Sequence, residues 1–351
     1  MASVHPHGGG RGRRASTAGA ADNGLGSNRR NRDEGEEMEP HFPIISGVST
    51  SGGGKDYQED MAVKIDDFNK VIREKSKKFH GSYQVRRSFY AIFDGHGGAR
   101  CSKFLAENFH ILLAKHMLVG ERPVEALEQV WALIEEKFLD LCTNKYKGES
   151  SFHKSGSTAT VAFIVGDTVY TANCGDSHAY LFKEGRDPIK YSDDHNTDNQ
   201  VECERVRQTG ATVEQEEISI RKGCCKVEKL RVGKHRVWPG GLAVTRSFGD
   251  FFAKLTAFGG VANSILSQFE ETRSFTVAEN FGGFCGLIIA SDGAWDALPP
   301  DRIWKIFGDT VQRSRDKGWD EWDSVEEGCH VSHHTTELSI PLHFSQDRSL
   351  I

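Results

Sequence analysis

The chain has 351 residues and a mass of 39.0 kDa, enough for one large domain or two modest ones. Hydrophobic residues make up 37%, and no apolar run reaches the ~18 residues a membrane-spanning helix needs, so that class is excluded. Against 50 Asp and Glu stand 44 Lys and Arg, a net charge of −6, which lacks the basic excess of a nucleic-acid binder.

The N-terminus, Met1-Ala-Ser-Val-His-Pro-His-Gly8, shows no apolar core followed by a cleavage site, and secretion is not expected. The eight cysteines lack paired spacing apart from the adjacent Cys224 and Cys225. They read as reduced thiols of a cytoplasmic or nuclear protein, expected to be a monomer. Residues 1–45 are rich in Gly, Arg, Ser and Asn and turn acidic at Asp33-Glu34-Gly35-Glu36-Glu37. With almost nothing apolar to bury, they are expected to form a disordered tail, with Arg11 to Arg14 a solvated charge run.

Order is expected from near Pro43. The run Ser88-Phe89-Tyr90-Ala91-Ile92-Phe93 predicts a strand leading straight into Asp94-Gly95-His96-Gly97-Gly98. Two amphipathic helices follow. The second opens at Pro123 and carries Leu127, Val130, Trp131, Ile134, Phe138 and Leu141 at helical spacing. Stretches 158–165 and 168–173 predict a hairpin through Gly166-Asp167, continued by a strand over 179–182. A short helix from Asn199 stops at Gly210, and the charged stretch 211–240 reads as an irregular insertion. Residues 286–290 predict a buried strand ending at Ser291-Asp292-Gly293, after which Asp301 caps a last helix bearing Ile303, Ile306, Phe307 and Val311. Residues 316–351 are polar, His-rich and without periodicity, and are expected to be a disordered tail. Hairpins and paired helices favour α+β over a parallel sheet.

Several acidic residues stand beside glycine just past apolar, strand-like runs: Asp94-Gly95, Gly175-Asp176 and Asp292-Gly293, with Glu59-Asp60 ahead of them. One Asp-Gly is an ordinary turn. Their repetition at strand ends is another matter, because a carboxylate at the end of a buried strand costs several kcal/mol unless compensated. Converging, such ends form an oxygen-rich cage suited to Mg²⁺ or Mn²⁺.

Six segments in order complete a pattern. They are Lys55-Asp-Tyr-Gln-Glu-Asp60, Phe93-Asp-Gly-His-Gly-Gly98, Ser155-Gly-Ser-Thr-Ala159, Ala172-Asn-Cys-Gly-Asp-Ser-His-Ala179, Leu242-Ala-Val-Thr-Arg-Ser-Phe-Gly-Asp250 and Ala290-Ser-Asp-Gly-Ala-Trp-Asp296. From about Gly52 to Leu298 the chain resembles the metal-dependent serine/threonine protein phosphatases of type 2C. The resemblance implies a four-layer α+β sandwich, two antiparallel sheets flanked by helix pairs, spanning about 46–315. It implies phosphorylated proteins as substrates and two Mg²⁺ or Mn²⁺ ions per site, while composition and charge lead to no expected membrane or nucleic-acid partner. By the same resemblance Asp94 bridges the two metals, Gly95 lends its carbonyl to one, and Glu59 binds that same metal. Asp60 helps to orient a bound water, Asp292 binds the other metal, and Asp176 belongs to a weaker third ion. Lys55 faces substrate phosphate as a point charge, and His96 is the general acid for the leaving group.

The chain also departs from the family. After Asp292 the family has a closing strand introduced by Asp-Asn, whose Asp is a further metal ligand. No Asp-Asn occurs there and the ending fits no such strand, so the domain is expected to be incomplete at its C-terminal end, with one sheet edge unpaired and lower stability. The stretch 251–284 lacks the usual Pro-Glu segment. A phosphatase-like binding module with weak or no activity is therefore the alternative to an active enzyme. Other motifs fail on chemistry. Cys225 and Arg231 have the Cys-x5-Arg spacing of cysteine-dependent phosphatases, but the bulky Lys-Val-Glu-Lys-Leu between them cannot cradle an anion. Gly52-Gly-Gly-Lys55 is followed by Asp56 where a nucleotide loop needs Ser or Thr. The late Cys329, His330, His333, His334 and His343 are too irregularly spaced for zinc.

Overall fold

A computed structural model describes residues 44–50, 57–75, 84–118, 120, 122–183, 185–222, 226–268, 272–277, 285–318 and 338–344. In chain order, β1 is Ile44–Ser46, β2 Ser49–Thr50, β3 Met61–Ile65 and α1 Phe68–Lys75. Strands β4 (Arg87–Phe93) and β5 (Gly95–His96) lead into α2 (Arg100–Leu118) and α3 (Pro123–Asp140). Then come α4 (Ser150–His153), β6 (Gly156–Ser157), β7 (Ala159–Val165), β8 (Thr168–Cys174), β9 (His178–Lys183) and β10 (Ile189–Lys190). Helix α5 (Gln200–Gln208) precedes a long hairpin of β11 (Thr212–Lys222) and β12 (Lys226–Trp238). The last elements are β13 (Phe248–Gly249), α6 (Phe251–Lys254), β14 (Arg273–Thr276), β15 (Cys285–Ala290), α7 (Asp292–Ala297), α8 (Pro300–Asp316) and β16 (Leu338–Phe344).

One antiparallel sheet has the order β14-β8-β7-β4-β3. The other runs β1-β16-β15-β9-β10, with β2 also on β16. Strand β4 is buried along its whole length because both of its faces are covered. Tyr90 and Ile92 point at the second sheet, meeting Leu181, Leu287 and Ile289. Phe89, Ala91 and Phe93 point the other way, onto Leu105 and Phe109 of α2 and Val130, Trp131 and Ile134 of α3. A buried Ile, Leu or Phe here contributes roughly 1.5–3 kcal/mol, and burial on both faces is why this antiparallel strand reads as an unbroken apolar run. Behind the second sheet, Phe182 and Ile288 meet Ile303 of α8, and Ile45 meets Phe307 and Val311. The layers are helix, sheet, sheet, helix: the expected α+β sandwich. Among the described residues no helix is long and apolar enough to cross a membrane.

Local expectations are met in part. Pro123 opens α3, Asn199 caps α5 through the N–H groups of Val201 and Glu202, and Gly210 takes a φ of +91°. Leu141 begins a π-helical turn instead of continuing α3. Asp301 is not the cap of α8; Pro299 is, and Asp301 lies in the first turn, where its charge suits the helix dipole.

Two expectations are overturned. Residues 212–222 and 226–238 pair as a two-stranded ribbon, anchored where Val213 and Val237 pack beneath Cys203 and Val206 of α5. A two-stranded ribbon has little core to cover, so its composition stays polar and conceals the pairing. The second correction concerns 338–344 within the expected tail, where β16 fills the place between β1 and β15, with Ile44 opposite Phe344 and Leu287 opposite Leu342; 319–337 and 345–351 lie outside the described residues. The closing strand is present. Its period-two alternation of Leu338, Ile340, Leu342 and Phe344 is hidden by Pro341, a residue rare in interior strands, and by its polar flanks.

Candidate active site

Strand register brings the predicted carboxylates to one edge of both sheets. Met61 pairs with Phe93, so Asp60 and Asp94 stand opposite each other one step further on. Ala290 pairs with His178, and extending that ladder by two residues sets Asp292 against Asp176. Thr158 links the two ends. Its N–H donates to the Asp94 carbonyl (2.9 Å), and its Oγ1 accepts from the Asp94 N–H (3.2 Å) and lies 2.7 Å from Ser177 Oγ.

Gly95 occupies a position only glycine fits, since a Cβ there would strike the Glu59 carbonyl and Ser102 Oγ. Its N–H donates to Asp60 Oδ1 (3.2 Å). Glu59 accepts from the Gly98 N–H at 2.7 Å, just ahead of α2, where the helix dipole favours an anion. Lys55 and Asp56 lie outside the described residues, as do Cys225, Cys329, His330, His333 and His334. Arg231 belongs to regular strand β12 opposite Glu217, so no anion-binding loop runs up to it.

The carboxylates act on one another. Burial, then the charges of Asp60, Asp292 and Asp176, hold the Asp94 carboxyl well above the usual range. Burial and the charge of Asp292 push Asp176 up to about 7. Among the described residues, no three His, Cys, Asp or Glu side chains are arranged to hold an ion as they stand. The donor set nevertheless fits a divalent cation. Four hard oxygen ligands converge at one edge, and their mutual repulsion is the strain a cation relieves. The family's further Asp has no Asp-Asn to supply it, although β16 starts beside this edge, with Ser339 opposite Ala290.

Sequence reasoning quoted Asp250 in a motif without giving it a role. Asp250 is fully buried, adopts a left-handed φ of 53°, and places Oδ2 2.7 Å from His96 Nε2. Ser247 Oγ donates to the same oxygen at 2.6 Å, while Oδ1 is buried with no hydrogen-bond partner among the described residues. Burial alone would lower the His96 pKa. The Asp250 carboxylate outweighs it, helped by Asp176 and Glu59, and the net shift is upward. Gly156 makes room for this pair, because a Cβ there would land on both Asp250 and His96. A second residue missed was Lys234 of β12, whose Nζ lies 3.3 Å from Asp296 Oδ2. The only sequence signal for Asp250 was its place beside glycine in Ser-Phe-Gly-Asp, with no apolar run before it. Lys234 had no signal at all.

The protein phosphatase 2C family model matches residues 51–320, and the chain belongs to that family. It is 32% identical to Probable protein phosphatase 2C 59 of Oryza sativa subsp. japonica, over 60% of this chain and 53% of that one. To human Protein phosphatase 1E it is 26% identical, over 73% of this chain and 28% of that one. The chain spans 36% to 60% of the length of three rice relatives it matches. The crystal structure of a serine-threonine phosphatase 2C from Toxoplasma gondii shares the fold, with a TM-score of 0.54 at 18% identity, covering 87% of this chain and 96% of that one.

Proposed function

We propose that the chain hydrolyses phosphoserine and phosphothreonine in proteins, using two Mg²⁺ or Mn²⁺ ions and no covalent intermediate, in the cytoplasm or nucleus. The observation that carries this reading is the juxtaposition of Asp60, Asp94, Asp176 and Asp292 at one sheet edge with the His96–Asp250 pair beside them. Asp94, Asp292, Glu59 and the Gly95 carbonyl would hold the ions, Asp60 would orient a water, and Asp176 would serve a weaker third ion. When bound, such ions supply Lewis acidity and a water acidic enough to attack phosphorus near pH 7.

The chain's own part is proton delivery. Asp250 fixes His96 through Nε2 and favours the imidazolium, leaving Nδ1–H to protonate the serine or threonine alkoxide as the P–O bond breaks. The water contributes OH to phosphorus, and its proton leaves to solvent. The five described cysteines are all buried, which fits a reducing compartment. A second reading, a phosphoprotein-binding module with weak turnover, draws on the missing Asp-Asn. Manganese-dependent release of phosphate from a phosphothreonine peptide separates the two. Asp94→Asn should abolish that release, and a variant keeping near wild-type turnover would overturn the two-metal assignment.

A further inference from the structure

We propose that Lys234 is a second binding residue for the substrate phosphate, an ammonium resting on Asp296 that moves to the dianion when a phosphorylated side chain enters. The inference rests on the phosphatase reading above and adds to it a group contributed by the ribbon.

Three observations carry it. The ribbon's register breaks at this residue: Gln215 pairs with His235 but Glu216 pairs with Val232, so Gly233 and Lys234 have no partners across the ladder. Gly233 takes a φ of +79°, turning the strand locally. Bulges of this kind re-aim a side chain near active sites. Next, Lys234 Nζ reaches α7, 3.3 Å from Asp296 Oδ2, and Asp296 lies four residues from Asp292 on the same helix face. The ammonium is therefore at the rim of the carboxylate cluster, where the charges of Asp292 and Asp176 act on it. Finally, the resting pair is weakly held. Lys234 and Asp296 side chains are 61% and 66% exposed, and ion pairs so wetted contribute little. A phosphate dianion, with more charge and three acceptor oxygens, is the stronger partner for a flexible point charge.

A merely structural pair would pin the ribbon to α7, and removing either partner would then have the same effect. The proposal expects opposite effects. With a phosphothreonine peptide and Mn²⁺, Lys234→Gln should raise KM ~10-fold, the loss of one charge-assisted hydrogen bond, with kcat little changed. Lys234→Arg should restore most of the affinity, and Asp296→Asn should lower KM because the ammonium loses its resting partner. Calorimetry with a peptide bearing the non-hydrolysable phosphonate analogue of phosphothreonine, in Mg²⁺, reads the same contact without turnover. There Lys234→Gln should weaken Kd ~10-fold and leave the unphosphorylated peptide unaffected. Wild-type chain that binds the phosphonate but turns nothing over would refute the phosphatase reading while leaving this one standing. Equal affinity in wild type and Lys234→Gln, no wild-type affinity for the phosphonate, or a KM rise in both variants would overturn it.

Discussion

Replacing Glu202 by Gln should be among the costliest conservative changes in the chain. Glu202 of α5 is 2% exposed and takes two forked arginines. Arg246 donates through Nε (3.0 Å) and Nη2 (2.7 Å), and Arg205 through Nε (3.2 Å) and Nη2 (3.0 Å). Thr245 Oγ1 adds a fifth bond at 2.8 Å. Burial by itself would raise the Glu202 pKa, but these donors outweigh it and bring it from 4.5 down to about 2. That gap corresponds to ~3 kcal/mol of preference for the ionised carboxylate in the folded chain. Glutamine keeps the shape but removes the charge facing buried Arg246, so the expected loss is ~3 kcal/mol, the low end for breaking a buried pair. The expected fall in Tm is roughly 6–12 °C. The sign with pH follows from the depressed pKa. The contribution is complete above the unfolded value near 4.5 and fades as pH falls toward about 2. Urea unfolding followed by tryptophan fluorescence should show a wild-type advantage of ~3 kcal/mol at pH 7 and ~2 kcal/mol at pH 3.5. An advantage below ~1 kcal/mol at pH 7, or one that widens on acidification, would refute the reasoning.

The position of an acid at a strand end was legible in the sequence wherever an apolar run preceded it. Asp94, Asp176 and Asp292 each follow a strand whose side chains fill the core, so the same feature that predicts the strand locates its end. Asp250 escaped because the two-residue β13 before it is too short to show periodicity, and its pairing with His96 spans 154 positions of sequence. Lys234 escaped for a different reason. In a ribbon with little to bury, charge alternation says nothing about where the register breaks, and the break decides where that ammonium goes. Strand β16 was hidden by composition. Pro341 and the histidines around it argue against an interior strand, yet the place between β1 and β15 is filled by pairing on both sides, which no local propensity reveals. The absence of Asp-Asn therefore does not mean an open sheet edge, and no loss of stability from that source is expected.

Three further outcomes are expected. His96→Ala should slow release of an alkyl alkoxide from a phosphothreonine peptide by ~10²-fold or more, but barely affect p-nitrophenyl phosphate, whose leaving group needs no proton; equal losses would assign His96 a structural role. Gly156→Ala should force Asp250 and His96 apart and reproduce that pattern with the Mn²⁺ requirement unchanged, so wild-type peptide turnover would refute the cradle. The last outcome concerns the missing ligand. In the proposed site Glu59, Asp94, Gly95 and Asp292 would serve as ligands, but no Asp-Asn follows Asp292 to supply the family's further Asp, and divalent sites set affinity through ligand charge. Activity should thus be low and rise steeply with added Mn²⁺. Strand β16 begins beside the carboxylate edge, since Ser339 pairs with Ala290, two residues before Asp292. Thr336→Asp with Glu337→Asn supplies the dipeptide immediately before Leu338 in the sequence. The restored chain should saturate at ~10-fold lower Mn²⁺, a gain of one carboxylate's attraction. If the native chain already saturates at the same Mn²⁺ with equal turnover, another residue supplies the ligand, and the site is not short of charge.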